Sequence, residues 1–312
     1  MTSPYPTRRE LRESRAAGST AVADDSSGGG TDRHRAAAPA PKTSRAGRNL
    51  PAAIAVGVTL GALVIVSLVV AKELFLGIVA VAVGFGVWEL RKALGQAGIH
   101  VPLVPSMVGM VSMLGSAFWG GAQALAVTFG LTCVGVLLWR VADGVKDAVR
   151  DVAGGMFVAL YPSFLAGFAA LLLAADDGVA RVIVFILVTV LSDIGGYVFG
   201  VLWGRHPMAP SVSPKKSWEG FTGSVLACML GASLGISLGL HGPWWAGLIM
   251  GAAVAIGATV GDLTESTIKR DLGIKDMSHI LPGHGGVMDR LDSLLVTAPL
   301  SWALLMVFVP IQ

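Results

Sequence analysis

An all-α membrane-embedded bundle is the fold class this sequence predicts, on three observations. Apolar runs of bilayer-spanning length recur along the chain. The runs are continuously apolar rather than alternating, a helix pattern and not that of barrel strands. Only 14% of the 312 residues are charged against 54% hydrophobic, where a soluble domain carries about a quarter charged.

Residues 1–50 precede the first apolar run and are rich in Ser, Gly, Ala, Pro and Arg. With almost nothing to bury, they are expected to be a disordered cytoplasmic tail, and residues 51–312 the membrane domain. No apolar stretch begins near Met1, so no signal peptide is expected. The tail holds nine Lys/Arg and five Asp/Glu, a net +4, leaving fourteen and fifteen, a net −1, for the rest of the +3 chain. Basic charge without interleaved aromatics, with acids among the bases, is a poor nucleic-acid surface.

Nine apolar segments follow, at about 51–71, 74–90, 102–119, 122–139, 152–174, 180–203, 221–240, 244–262 and 291–311. A bilayer core needs ~20 helical residues, so the shorter segments stand nearly upright or extend into their flanks. The 41 glycines suit close helix packing in lipid. Cys133 and Cys228 lie inside apolar runs without metal-ligand spacing and read as packing residues. Lys42, Arg45 and Arg48 place the N-terminus in the cytoplasm. With nine crossings, the other basic loops fall on that side: Arg91 and Lys92; Arg140, Lys146 and Arg150; Arg205, Lys215 and Lys216; Lys269, Arg270 and Lys275. The opposite loops hold chiefly Lys72 beside Glu73 and Arg181 near Asp176 and Asp177. Trp88, Trp119, Trp139, Trp203, Trp244 and Trp245 sit at segment ends, as an interfacial belt does.

Polar chemistry concentrates in two loops of the cytoplasmic side. In Gly204–Gly220, Ser213, Lys215, Lys216 and Ser217 suit a polyphosphate, because lysine is a compact point charge and hydroxyls donate to phosphate oxygens; a positive-inside anchor accounts for the same lysines. In Gly261–Asp292, Asp262 and Glu265 end the eighth segment at i, i+3, and Asp289 and Asp292 repeat that spacing at the start of the ninth, around Arg290. Mg²⁺ is typically held by one or two carboxylates plus substrate phosphates. A helix dipole explains carboxylates at an N-terminus but disfavours Asp262 at a C-terminal end, which favours the metal reading. Between them lie Lys269, Arg270, Lys275 and the run Pro282-Gly283-His284-Gly285-Gly286, whose backbone amides can approach an anion. His284 could contact phosphate, carry a proton or be structural. Asp193 lies within an apolar segment, where an ionisable group is costly and usually functional, or else balances a buried base. No Walker loop, GxSxG elbow or CxxC pair occurs, which leaves soluble ATPase, serine-hydrolase and redox readings without support.

Ser266-Thr267-Ile268-Lys269-Arg270, Lys275-Asp276, Leu281-Pro282, His284-Gly285-Gly286 and Asp289-Arg290-Leu291-Asp292 together resemble the signature of the phosphatidate cytidylyltransferase (CDP-diacylglycerol synthase) family. The loop Ser213–Gly220 resembles that family's second motif, with Ser217 where threonine is common. Ser192-Asp193 with Gly196, Tyr197 and Gly200 resembles its preceding segment, but Ile194 and Gly195 depart from it.

The resemblance covers about residues 51–312 and is best over 190–295. It implies transfer of CMP from CTP to phosphatidic acid at the cytosolic face of a bacterial-type plasma membrane. It also implies Mg²⁺, with a second cation such as K⁺ beside it. Carried over by motif, Asp262 and Asp289 are the metal ligands, and Asp292, Lys269, Arg270, His284 and Arg290 complete the catalytic group. Ser213, Lys215, Lys216, Ser217, Ser266, Lys275, Asp276, Gly285, Gly286 and Asp193 are substrate-binding. The expected partners are CTP, phosphatidic acid and membrane lipids, not nucleic acid, with a homodimer left open. Two rival readings are a phosphoglycosyl transferase acting on a polyprenyl phosphate and an ion-coupled transporter using Asp193. The transporter is disfavoured because no internal repeat is visible and the polar density sits on one side.

Overall fold

The computed structural model describes residues 50–144, 146–278, 280 and 285–310, with residues 50–56 in backbone only. The tail expected at 1–50 thus lies outside the described residues, except for Leu50. The chain forms α1 (Leu50–Val70), α2 (Lys72–Gln96), α3 (Leu103–Asp143), α4 (Ala148–Ala174), α5 (Gly178–Trp203), β1 (Pro207–Ala209), β2 (Ser213–Ser217), α6 (Trp218–Gly239), α7 (Trp244–Asp271) and α8 (Met288–Phe308). Among the described residues, seven helices, α2 to α8, are long and apolar enough to cross a bilayer. Their outward faces carry exposed Val, Leu, Ile and Trp, as a lipid-facing surface requires. This is an integral membrane protein of the all-α class, whose described residues add one short β1–β2 hairpin to the helices.

The nine expected segments are counted differently at α1 and α3. α1, Leu50–Val70, is 21 residues long, about what a bilayer core needs, with side chains described only from Gly57. α3 joins two expected segments in one element, yet it is not straight. Gly121 takes φ +75°, a conformation that favours glycine. The Ser116 and Thr128 hydroxyls lie 2.8 Å apart, where a straight helix would hold them ~18 Å apart. The chain therefore folds back at Gly121 into a helical hairpin, whose arms touch again where Gly109 faces Thr132. α4 contains a widened turn, Ala159–Phe164, around Pro162, which supplies no N–H to an ordinary helical ladder.

Glycine sets how closely the last helices approach. A Cβ on Gly195 would lie 2.6 Å from the carbonyl of Gly223, and one on Gly220 2.9 Å from that of Gly196, so α5 and α6 meet backbone to backbone. Gly247 and Gly251 bring α7 onto α6 in the same way. Gly251→Ala is expected to destabilise the detergent-purified protein by about 1–3 kcal/mol, because its Cβ would sit 2.5 Å from the Cys228 carbonyl group and Met229 Cα, backbone that cannot rotate aside. A melting temperature equal to that of the parent would show that the crossing yields.

The basic groups sort to two ends. At one, Arg91 donates to the Val101 carbonyl, Arg150 to that of Ala97, and Arg140 pairs with buried Asp151 at 3.3 Å. At the other, Lys72 donates to the Ala175 carbonyl (2.5 Å), and buried Arg181 donates to Asp177 (2.6 Å) and to the Val309 carbonyl at the end of α8 (2.7 Å).

Candidate active site

The loop expected over Gly204–Gly220 is largely structured. β1 and β2 form an antiparallel hairpin, with Pro207 opposite Ser217 and Ala209 opposite Ser213. Its base is closed by Glu219, which accepts the backbone N–H of Arg205 (3.1 Å) and of His206 (3.2 Å) and meets the His206 imidazole at 2.5 Å. Ser217 caps α6 by accepting the Gly220 N–H at 3.1 Å. A reading based on apolar periodicity had no means of seeing so short a polar hairpin.

This hairpin forms one wall of an open cleft of ≈ 340 Å³. Lys215, Lys216, Ser213 and Ser217 line it from the hairpin, Asp193 and Tyr197 from α5, and Asp262 from α7. Five of the expected substrate-binding residues thus share one cleft with Asp262. Asp193, the ionisable residue within an apolar segment, lines this cleft and is exposed to it. The charges of Asp262, Asp292, Lys216 and Arg290 all act on Asp193. Lys216 Nζ pairs with Asp262 Oδ2 at 2.5 Å, and Ser266 donates to Asp262 Oδ1 at 3.3 Å.

α7 does not stop at Asp262, as the sequence led us to expect, but runs on to Asp271. The extension carries Glu265, Ser266, Lys269 and Arg270 on continuous helix. It also removes one argument from the sequence reading, since Asp262 lies over two turns from the helix end, where the dipole exerts little force. Gly261 allows α8 to cross here: its Cβ would fall 2.5 Å from the Asp292 carbonyl. The crossing brings the two i, i+3 acidic pairs together. Lys269 lies between them, 2.9 Å from Glu265 and 2.8 Å from Asp289. Asp289 Oδ2 also accepts the N–H of Gly286 (2.7 Å) and of Met277 (3.2 Å). Asp292 is buried and accepts the Ser293 N–H at 2.6 Å.

Arg270, Lys275 and Arg290 are exposed at this end, and Asp276 and Gly285 are half-buried beside Asp289. His284 lies outside the described residues. The structure therefore divides the expected site in two, a basic cleft and an acidic helix crossing, joined where Gly261, next to Asp262, packs against the Asp292 backbone.

The donor set fits a hard cation. Among the described residues no group of three or more His, Cys, Asp or Glu side chains forms a ready-made metal cage, but Mg²⁺ needs only one or two carboxylates when phosphates complete its shell. A carboxylate offers about four lone-pair positions; the contacts above fill two on Asp262 and three on Asp289. The buried Glu265 Oε1 and Tyr161 Oη have no hydrogen-bond partner among the described residues. The charges of Asp262, Glu265 and Asp292 all act on Tyr161.

The sequence reading missed two residues of this region. Tyr161 sits in the widened turn of α4, which no apolar pattern reveals. Glu89 of α2 is fully buried, with its carboxylate against the start of α8. An acidic residue between Trp88 and Leu90 in an apolar run was a visible signal, the same one that singled out Asp193.

Similarity to known proteins shows the family. Residues 51–308 match the model of the cytidylyltransferase family. A protein of Mycobacterium leprae named phosphatidate cytidylyltransferase is 39% identical, over 84% of this chain and 89% of its own length. One of Mycobacterium bovis with the same name is 38% identical, over 86% and 92%. A Helicobacter pylori protein of that name is 45% identical, over 45% and 52%. Helix order, cleft and signature residues all lie within the matched span, and the chain belongs to the cytidylyltransferase family.

Proposed function

We propose that this protein transfers CMP from CTP to phosphatidic acid, giving CDP-diacylglycerol and pyrophosphate. The observation that carries the reading is the meeting of a lysine- and hydroxyl-lined cleft with carboxylates from two crossing helices at one end of a membrane bundle. The bias of Lys and Arg toward that end supports placing it in the cytosol, where CTP is available, with phosphatidic acid entering from the adjoining leaflet.

A phosphate oxygen of phosphatidic acid attacks the α-phosphorus of CTP. A new P–O bond forms, the bond to the β-phosphate oxygen breaks, and pyrophosphate leaves. The nucleophile is already an anion near neutral pH, because the second pKa of a phosphomonoester is ≈ 6. The demand on the protein is therefore charge cancellation rather than proton removal. Lys215 and Lys216 hold the triphosphate from the hairpin, and Ser213 and Ser217 donate to its oxygens. Arg270, Lys275 and Arg290, exposed at the same end, receive the lipid phosphate. Lys269 is committed to Glu265 and Asp289, and its part is to keep both carboxylates in place. Asp262 and Asp289 would hold Mg²⁺, with Asp292 and Asp193 close enough in charge to bias a second cation such as K⁺. Bound there, the metal would offset charge developing on the phosphates.

The test is purified protein with Mg²⁺, labelled CTP and phosphatidic acid. A CDP-lipid and pyrophosphate should appear in equal amounts, in detergent and without an ion gradient. Product from a UDP-sugar and polyprenyl phosphate, with none from CTP, would overturn the assignment.

A further inference from the structure

We propose that Glu89 of α2 is a positioning residue for the reaction, holding Ser278 and the start of α8 in register with the cleft; this rests on the function proposed above. Glu89 is fully buried. Its Oε1 accepts the Val287 N–H at 3.0 Å and the Ser278 hydroxyl, and its Oε2 accepts the Met288 N–H at 2.7 Å. A helix leaves its first four N–H groups without intrahelical partners. α8 has no capping side chain of its own at Val287. Glu89 performs that task from nearly two hundred residues away in sequence, with a carboxylate at the electropositive end of the helix.

Three details tie this contact to the site. Asp289 directly follows Met288, and Asp292 lies on the next turn, so the direction of the first turn of α8 aims both carboxylates. Ser278 belongs to the loop that returns from α7, in which Met277 N–H donates to Asp289. One buried group therefore holds both ends of the segment between Asp276 and Asp289. Gly286 is fitted to it, because a Cβ there would lie 2.8 Å from Glu89 Oε2.

The variants are Glu89→Gln, which keeps the size and one acceptor oxygen, and Ser278→Ala, which removes one donor. In the CTP and phosphatidic acid assay, Glu89→Gln should lower kcat about tenfold, a fraction of what a ~1 Å displacement of a reacting group costs. KM for CTP should stay within about twofold, because the cleft residues are untouched. Ser278→Ala should lower kcat less. Hydrogen exchange supplies a readout independent of turnover: in Glu89→Gln the amides of Val287 and Met288 should exchange about tenfold faster, with α5 to α7 unchanged. Unchanged kcat or unchanged exchange at those amides would overturn the inference. Uniformly faster exchange through all helices would do the same, since it marks a general packing role. Exchange confined to Val287 and Met288 in a parent protein that makes no CDP-lipid would instead count against the proposed function.

Discussion

Asp289→Ala is expected to reduce CMP transfer by about a thousandfold or more, in a protein still inserted in the membrane. The carboxylate accepts from Lys269, Gly286 and Met277 at once, and in the proposed mechanism it also gives an oxygen to Mg²⁺. Losing one well-placed electrostatic group at a reacting centre typically costs 10²–10³ in rate. Here the loss also leaves Lys269 facing Glu265 alone and the returning loop without its anchor. Asp289→Asn separates the contributions. It preserves one acceptor for the backbone amides but weakens cation binding, so its turnover should recover partly when Mg²⁺ is raised, whereas that of the alanine variant should not. Near-normal turnover of Asp289→Ala would remove this residue from the metal site.

The second large effect is expected at Lys216. Its ammonium lies 2.5 Å from Asp262 Oδ2 at the floor of the cleft. In the proposed mechanism the same cation cannot fully serve Asp262 and a triphosphate, so binding of CTP would loosen the pair. Lys216→Ala is expected to lower kcat/KM for CTP by about 10²-fold, mainly through KM, because charge-assisted bonds to phosphate are lost. Asp262, freed of its competitor, should bind divalent cation more readily, and the Mg²⁺ concentration for half-maximal rate should fall. A variant with unchanged KM for CTP would show that the lysine serves only Asp262. Partial recovery in Lys216→Arg would assign the role to charge, since guanidinium differs from ammonium in shape and hydration.

Much of this was legible in the residues, for identifiable reasons. The helices were, because an apolar run in lipid has no alternative to helix. The approach of the two acidic segments at one helix crossing, with Lys269 between Glu265 and Asp289, was prefigured by the i, i+3 spacings and the interrupting polar loop. What escaped depends on packing between distant segments. The end of α7 was set too early at Asp262, because hydropathy falls there while helical hydrogen bonding continues to Asp271. The fold-back of α3 was anticipated as two segments, but the glycine geometry at residue 121 was not. The part played by Glu89 arises from an encounter with residues 278, 287 and 288 that no local pattern encodes. The division of labour between lysines also needed coordinates: Lys215 and Lys216 face the cleft, while Lys269 is held by two carboxylates.

α8 is gripped at both extremities, by an anion from α2 where its amides are bare and by the Arg181 cation of α5 at the Val309 carbonyl. Each grip complements the charge that the helix itself presents there. This helix also leaves the ribosome after every other one described, and chains generally fold from the N-terminal side during synthesis. The cleft wall from α5 to α7 can thus assemble before Asp289 and Asp292 exist. In the proposed mechanism, catalytic competence would therefore wait on the clamping of α8, which carries Asp289 and Asp292.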